Sequence, residues 1–196
     1  MARTVAAVAD TVGPMSSKGH VALIRGINVG GKNPVPMVEL RAAFEACGFG
    51  NVSTYIQSGN VLFDADAKPS ELEPQIESAM EDRFGVPLVV VVRTRRQLAD
   101  VVDKAPPGFG TQPDTYHSDA VFLRSPLTPA KAMKVVALRD EVDAAWPGKG
   151  VIYFQRLSAR RTQSRMNKIV GTPEYQNMTI RSWNTTTKLR TLLDDR

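Results

Sequence analysis

The sequence predicts an α+β fold, with a ferredoxin-like βαββαβ half at the N-terminus and a second, smaller α/β half after it. Three observations support this prediction. Short apolar runs typical of strands alternate with segments of helical periodicity. In the first hundred residues these elements follow the order β-α-β-β-α-β, which is the split βαβ pattern. The chain of 196 residues is long enough for one sizeable core, or for two small subdomains that share one.

The first half opens with a strand, a helix and a hairpin. Residues 21–25 are predicted to be a strand, and residues 37–47 a helix with Leu40, Phe44 and Cys47 on one face. Residues 52–57 and 60–64 are two strands around a Ser-Gly turn, which is a hairpin signal.

A second helix and a central strand complete that half. A capping box at residues 70–73 predicts the start of the helix, and Gly85 predicts its end. The continuous apolar run 88–92 then predicts a strand in the centre of the sheet.

The second half is less regular. Thr94 and Gln97 form another capping box and predict a helix. Strands are predicted at residues 119–123 and 151–155. Between them a helix is predicted that begins at Thr128 and carries Met133, Val136 and Val142. After residue 157 the chain is basic and polar, and two short helices are expected there.

These elements predict three parts of the chain. Residues 1–18 are expected to be a disordered extension, because their short apolar run is interrupted by Asp10 and is too short for a signal peptide. Residues 19–104 are expected to form the ferredoxin-like subdomain. Residues 105–196 are expected to form a second α+β subdomain with a basic C-terminal helical tail.

Composition favours a cytoplasmic protein with an anionic partner. The net charge of +5 and the pI near 9.5 suit nucleotides, nucleic acids or phosphorylated metabolites, although a modest basic excess also serves solubility. Cys47 is the single cysteine, which fits a reducing compartment. No cofactor, no metal site and no membrane partner are expected from the sequence, and it leaves the oligomeric state open.

The most informative segment is Arg-Gly-Ile-Asn-Val-Gly-Gly-Lys-Asn at residues 25–33, because it gathers backbone donors and positive charge after a strand. Its G-x-x-x-x-G-K spacing resembles a P-loop, but Asn33 stands where Ser or Thr would bind magnesium. Pro34 also disfavours a helix that starts directly at this loop. The segment therefore predicts a looser anion cradle, with a simple glycine turn as the alternative.

Two further segments are candidates for the same site. The hairpin turn at residues 57–60 is expected near the same end of the sheet, although a tight turn alone explains its glycine. Near the C-terminus, Arg181 beside Trp183 suits phosphate or base binding, and a cap at Asn184 leaves helix N–H groups for an anion. The alternative is that Trp183 anchors the last helix and that Asn184 only caps it.

Together these segments resemble the DUF1697 family of small bacterial proteins, over residues 19–193. The resemblance implies an α+β fold with ferredoxin-like elements, an unknown function and no established catalytic residue. Ser182 departs from the Asn that the resemblance leads us to expect. The positions that match the family's signatures are Arg25, Gly26, Asn28, Gly30, Gly31, Lys32, Ser58, Gly59 and Asn60, followed by Arg181, Trp183, Asn184 and Lys188.

Three functions fit these observations. The favoured one is binding of a small anionic, phosphate-bearing ligand or nucleotide at the loop of residues 25–32, with Arg181 and Lys188 closing the site. The second is an RNA- or DNA-binding module, because βαββαβ is also the order of an RRM, although its third strand offers Phe63 alone for stacking. The third is an enzyme that acts on a phosphorylated substrate by positioning and electrostatics, and the sequence leaves enzymatic activity open.

Overall fold

The computed structural model describes residues 18–28, 30 and 33–196. These residues form a mixed α+β fold that contains two four-stranded antiparallel sheets. The extension expected at residues 1–18 lies, apart from Lys18, outside the described residues. None of the described helices combines the length and the apolar character needed to cross a membrane.

The first sheet has the strand order β2-β3-β1-β4, and two helices cover one of its faces. Its elements are β1 (Gly19–Arg25), α1 (Met37–Ala46), β2 (Gly50–Tyr55), β3 (Asn60–Asp64), α2 (Pro69–Phe84) and β4 (Val89–Thr94). The strand predicted to be central is therefore β4 at an edge of the sheet, and it is apolar because both faces of the sheet are covered. The core under α1 and α2 is apolar and includes Ile24, Phe44, Phe63 and Met80, each at most 1% exposed.

The capping box predicted for α2 lies two residues too late in the sequence. The helix begins at Pro69, so Lys68 is its N-cap, and the Lys68 N–H donates to Glu71 Oε2 at 3.3 Å. Proline suits the first position of a helix because its missing N–H would have no partner there. The capping box at Thr94 is confirmed, since Thr94 Oγ1 accepts from the Gln97 N–H at 3.1 Å and begins α3 (Arg95–Asp103).

The second sheet has the order β6-β7-β5-β8 and is as large as the first, so the expected smaller α/β half is wrong in size and in strand direction. Its elements are β5 (Tyr116–Leu123), α4 (Pro129–Met133), β6 (Asp143–Gly148), β7 (Val151–Leu157), the 3₁₀ segments Ser158–Gln163, Met166–Gly171 and Pro173–Asn177, β8 (Met178–Ser182) and α5 (Trp183–Asp194).

Two predictions for this half are wrong. The helix expected to reach Val142 ends at Met133, and β6 follows it. β6 was not predicted because it contains Pro147, which argues against a strand. Proline is tolerated here because β6 is an edge strand. The tail expected to hold two short helices contains the 3₁₀ segments, β8 and one helix.

A central core lies between the sheets, together with α3 and α5. Successive residues of β1 point to opposite faces, so Ala22 and Ile24 face the core under α1 and α2 while Val21 and Leu23 face the central core. Phe122, Val151 and Leu189 contribute to the central core from the second half. Both faces of the first sheet are therefore buried.

The two halves repeat one topology, although the sequence shows no repeat. The N–H of Ile24 donates to Gly59 O at 2.8 Å, and the N–H of Leu123 donates to Gly150 O at 3.0 Å. Gly59 and Gly150 share a φ of +72°. Strands β1, β2, β3 and β4 thus correspond to β5, β6, β7 and β8, and α3 corresponds to α5.

Candidate functional site

The three candidate segments meet at the C-terminal end of β1, around a cavity of about 320 Å³ that we call the Arg25 cavity. The first segment contributes Arg25 and Gly26 to its lining, and the hairpin contributes Ser58. The C-terminal segment contributes Arg181 together with the start of α5. The structure therefore brings together segments that lie more than 150 positions apart in the sequence.

Arg181 is 8% exposed, and each of its N–H groups reaches a neutral acceptor. No carboxylate of the described residues lies within 4 Å of this guanidinium, and burial lowers its pKa to about 10, which leaves it charged at neutral pH. Its acceptors are Asn60 Oδ1 at 2.6 Å, Thr179 Oγ1 at 2.9 Å, and the carbonyl oxygens of Ile24 at 2.7 Å, Ile180 at 2.8 Å, Ser58 at 3.0 Å and Gly59 at 3.3 Å.

Arg25 is half-buried, and only one of its guanidinium nitrogens donates hydrogen bonds within the described residues. Its Nη1 donates to the carbonyl oxygens of Tyr175 and Met178, and its Cζ lies 4.4 Å from the centre of the Tyr175 ring. Burial lowers its pKa. Among the described residues, Nε and Nη2 have no acceptor and no carboxylate lies within 4 Å, so this side of the guanidinium is available to a ligand.

The described part of the glycine loop is organised by Asn28. Its Nδ2 donates to Val35 O at 2.9 Å and to Gln57 O at 3.0 Å, while its Oδ1 accepts from the Val35 N–H at 2.8 Å. Gly30 is exposed and does not line the cavity. Gly31 and Lys32 lie outside the described residues, so the anion cradle predicted there remains a prediction.

Gly59 and Asn60 shape the hairpin rather than the cavity wall. Gly59 has a left-handed φ, and a Cβ there would lie 2.9 Å from Ile24 O. Asn60 is fully buried, and its Nδ2 donates to Tyr55 O at 3.1 Å and to Ser58 Oγ at 3.3 Å. Both residues hold the turn against the end of β1.

The other residues of the C-terminal segment have structural positions. The Trp183 ring packs edge-on against Phe109 with 4.9 Å between ring centres, which anchors α5 to the central core. Asn184 and Lys188 are exposed, and neither lines the Arg25 cavity. Lys188 therefore does not close the site in this structure.

Ser182, and not Asn184, caps α5. Its Oγ accepts from the Thr185 N–H at 3.3 Å and donates to Thr185 Oγ1 at 2.9 Å. The predicted cap at Asn184 is wrong because β8 runs directly into the helix, which begins at Trp183.

We expect Ser182→Ala to lower the free energy of unfolding by about 1 kcal/mol, the usual cost of losing an N-cap. Asn184→Ala, on the exposed second position of the helix, is expected to change it by less than about 0.5 kcal/mol. Urea denaturation of the two variants measures both values, and equal losses would contradict the cap at Ser182.

The two-fold repeat of the topology gives the Arg25 cavity a counterpart, and the charged side chains there differ. Arg93 corresponds to Arg181, since its Nη2 donates to Leu123 O and, at 3.0 Å, to Gly150 O. Arg124 corresponds to Arg25, but its Nε lies 3.3 Å from Glu73 Oε2 and its Nη1 lies 2.6 Å from Glu77 Oε1. Two glutamates thus form ion pairs with Arg124, whereas Arg25 and Arg181 have no carboxylate of the described residues within 4 Å.

Sequence reasoning missed Arg93, Arg124 and Tyr175. A signal existed for Arg124, because it follows the apolar run of β5 as Arg25 follows that of β1. His117 Nε2 lies 3.2 Å from Asp119 Oδ1, outside the Arg25 cavity. No group of three or more His, Cys, Asp or Glu side chains in the described residues is arranged to hold a metal ion.

Comparison with known proteins adds a family and a fold. The conserved bacterial protein SP0830 from Streptococcus pneumoniae has a similar solved structure, with a TM-score of 0.76 and 23% identity over 90% of this chain and 98% of that chain. No curated protein matches the sequence significantly.

The profile of DUF1697, described as a family of unknown function, matches residues 17–153. This range contains the first two candidate segments and ends within β7, before the C-terminal one. Because it covers more than half of the chain, the protein belongs to the DUF1697 family.

Proposed function

We propose that the protein binds a small anionic, phosphate-bearing ligand or nucleotide in the Arg25 cavity, which the first residues of the predicted 25–32 loop, Arg25 and Gly26, line. The observation that carries this proposal is the charge balance. Arg25 and Arg181 line the cavity and have no carboxylate of the described residues within 4 Å, while Arg124, the counterpart of Arg25, forms ion pairs with Glu73 and Glu77. A half-buried positive charge without a counter-ion attracts an anion from solution.

The division of labour between the two arginines supports this proposal. Arg181 has no donor left for a ligand, so it contributes charge and holds the cavity wall in place. Arg25 still offers Nε and Nη2, and guanidinium donors bind oxyanions with strong, charge-assisted hydrogen bonds. The cavity volume of about 320 Å³ suits one small ligand.

The described residues give less support to RNA binding on the first sheet. An RRM stacks bases on the open face of its sheet. Here Phe63 is fully buried under α1 and α2, and the opposite face is buried in the central core. Small-anion binding is therefore the function we favour.

We also propose that residues 19–104 form a ferredoxin-like subdomain, that residues 105–196 form a second α+β subdomain, and that the protein is cytoplasmic. The element order of the first half and its strand order β2-β3-β1-β4 support the first part. The single cysteine, Cys47, supports the last.

Arg25→Gln is expected to weaken ligand binding about 10- to 100-fold, which corresponds to the loss of a charge-assisted hydrogen bond. A thermal-shift screen with inorganic phosphate, nucleotides and phosphosugars at fixed salt identifies the ligand class. A ligand at 100 times its Kd adds about 2.7 kcal/mol to the stability of the folded protein. The measured quantity is the ligand-induced shift, because Arg25→Gln also removes two bonds to backbone carbonyls.

Arg124→Gln is the matched control and should keep the ligand-induced shift, since Arg124 faces Glu73 and Glu77. Lys32→Ala tests the loop separately. A shift that survives Arg25→Gln but disappears in Lys32→Ala would move the site from the cavity to the loop. No shift with any compound would contradict small-anion binding.

A further inference from the structure

We infer that the anionic group of the ligand binds across the outer edge of β8, bridging the Ile180 N–H and the Arg25 guanidinium. This inference rests on the proposed function and specifies how its site holds an oxyanion. It follows from a carboxylate that the other half of the protein already holds in the corresponding place.

In the first half, glutamates of α2 cover the outer edge of β4. Glu73 Oε1 accepts from the Val92 N–H at 3.0 Å, and its Oε2 lies 3.3 Å from Arg124 Nε. Glu77 Oε1 likewise accepts from the Val90 N–H at 2.9 Å and lies 2.6 Å from Arg124 Nη1. Each carboxylate therefore bridges an edge amide and the same guanidinium.

The correspondence of the two halves transfers this geometry to β8. Arg93 pairs with Val21 across β4 and β1, and Arg181 pairs with Ala120 across β8 and β5. One position earlier on each strand, Val92 corresponds to Ile180. Because amides alternate in direction along a strand, the Ile180 N–H points away from β5, as the Val92 N–H points away from β1.

At the outer edge of β8 the amide and an arginine are present, but no carboxylate of the described residues bridges them. β8 is an edge strand, and the Ile180 N–H has no acceptor among the described residues. Ile180 and Arg25 both line the Arg25 cavity. A 3₁₀ segment, Pro173–Asn177, precedes β8 where α2 precedes β4. Its acidic residue, Glu174, does not replace Glu73, since it makes no ion pair with Arg25 within 4 Å and its Oε2 has no hydrogen-bond partner.

An unpaired edge amide beside a guanidinium without a counter-ion is complementary to one oxyanion that accepts from both. A carboxylate fits, as Glu73 does in the first half, and a phosphate oxygen pair offers the same acceptors. The shared ligand chemistry is an oxyanion, and the two sources are separated by experiment.

The test is an amide NMR titration of the full-length protein with acetate in one arm and inorganic phosphate in the other, at constant ionic strength. We expect the Ile180 amide proton to move downfield with saturation in at least one arm, while the Val92 amide, already bonded to Glu73, does not move. The probe whose titration gives the lower Kd identifies the preferred oxyanion. Arg25→Gln should weaken the response at Ile180 about tenfold or more, and Arg124→Gln should not.

The outcomes separate this inference from the proposed function. Saturable changes at Ser58 or Thr185 without a change at the Ile180 amide would overturn the bridging geometry and leave anion binding in the cavity intact. The absence of a saturable change at any residue of the cavity, with both probes, would overturn both.

Discussion

Replacing Arg181 with methionine is expected to lower the free energy of unfolding by about 3–5 kcal/mol. The guanidinium is the only partner that the described residues provide for Asn60 Oδ1, and it also donates to the carbonyl oxygens of Ile24 and Ser58. Methionine fills similar volume but donates no hydrogen bond, so these buried acceptors lose their partner. Urea denaturation followed by circular dichroism measures the loss.

Arg190→Met is the control for removing an arginine as such. Its ion pairs with Asp103 at 2.9 Å and with Asp194 at 2.8 Å are partly exposed to solvent, and we expect a loss below about 1 kcal/mol. Arg181→Lys should recover only part of the stability, because an ammonium group cannot reproduce the planar fork of donors. A loss in Arg181→Met as small as that in Arg190→Met would contradict the bonding role of Arg181.

Gly110→Ala is expected to cost about 3–4 kcal/mol, from a strained backbone and an overpacked contact. Gly110 has a φ of +73°, and a Cβ there would overlap the indole ring of Trp183. Trp183 must then leave its edge-on contact with Phe109, or the loop must move away from α5. The measurements are urea denaturation and the wavelength of tryptophan emission, which should shift to the red as the ring is exposed.

Gly108→Ala provides the matched control in the same loop. Gly108 has a similar φ of +78°, but a Cβ there meets nothing within 4 Å. We expect a loss of about 1–2 kcal/mol from backbone strain alone, with unchanged tryptophan emission. Equal losses in the two variants would show that Trp183 adjusts without cost.

Local signals in the sequence predicted most of the first half. The strand at Asn60–Asp64 lies where it was predicted, and the capping box of Thr94 begins α3 as expected. β8 was missed because Met178–Ser182 is short and lies in a basic tail, and only its pairing with β5 makes it a strand. Pairing between residues so far apart in the chain leaves no local pattern.

The candidate site was predicted in part. Arg25, Ser58 and Arg181 were singled out from separate segments, and they do line one cavity. The sequence did not show that Arg124 forms an ion pair with Glu73, while Arg25 has no such partner among the described residues. This contrast depends on a correspondence between two halves that share strand order but no recognisable sequence repeat.

Each half of the protein places a buried arginine against carbonyl groups of the other half, and this has a consequence for how the chain unfolds. Arg93 of the first half donates to carbonyl groups of the second, and Arg181 of the second half donates to those of the first. If either sheet opened, the other would be left with a desolvated cation or with unbonded carbonyl groups. Neither half can therefore melt ahead of the other, and we expect one cooperative transition in which the slowest-exchanging amides of both sheets share a single opening free energy.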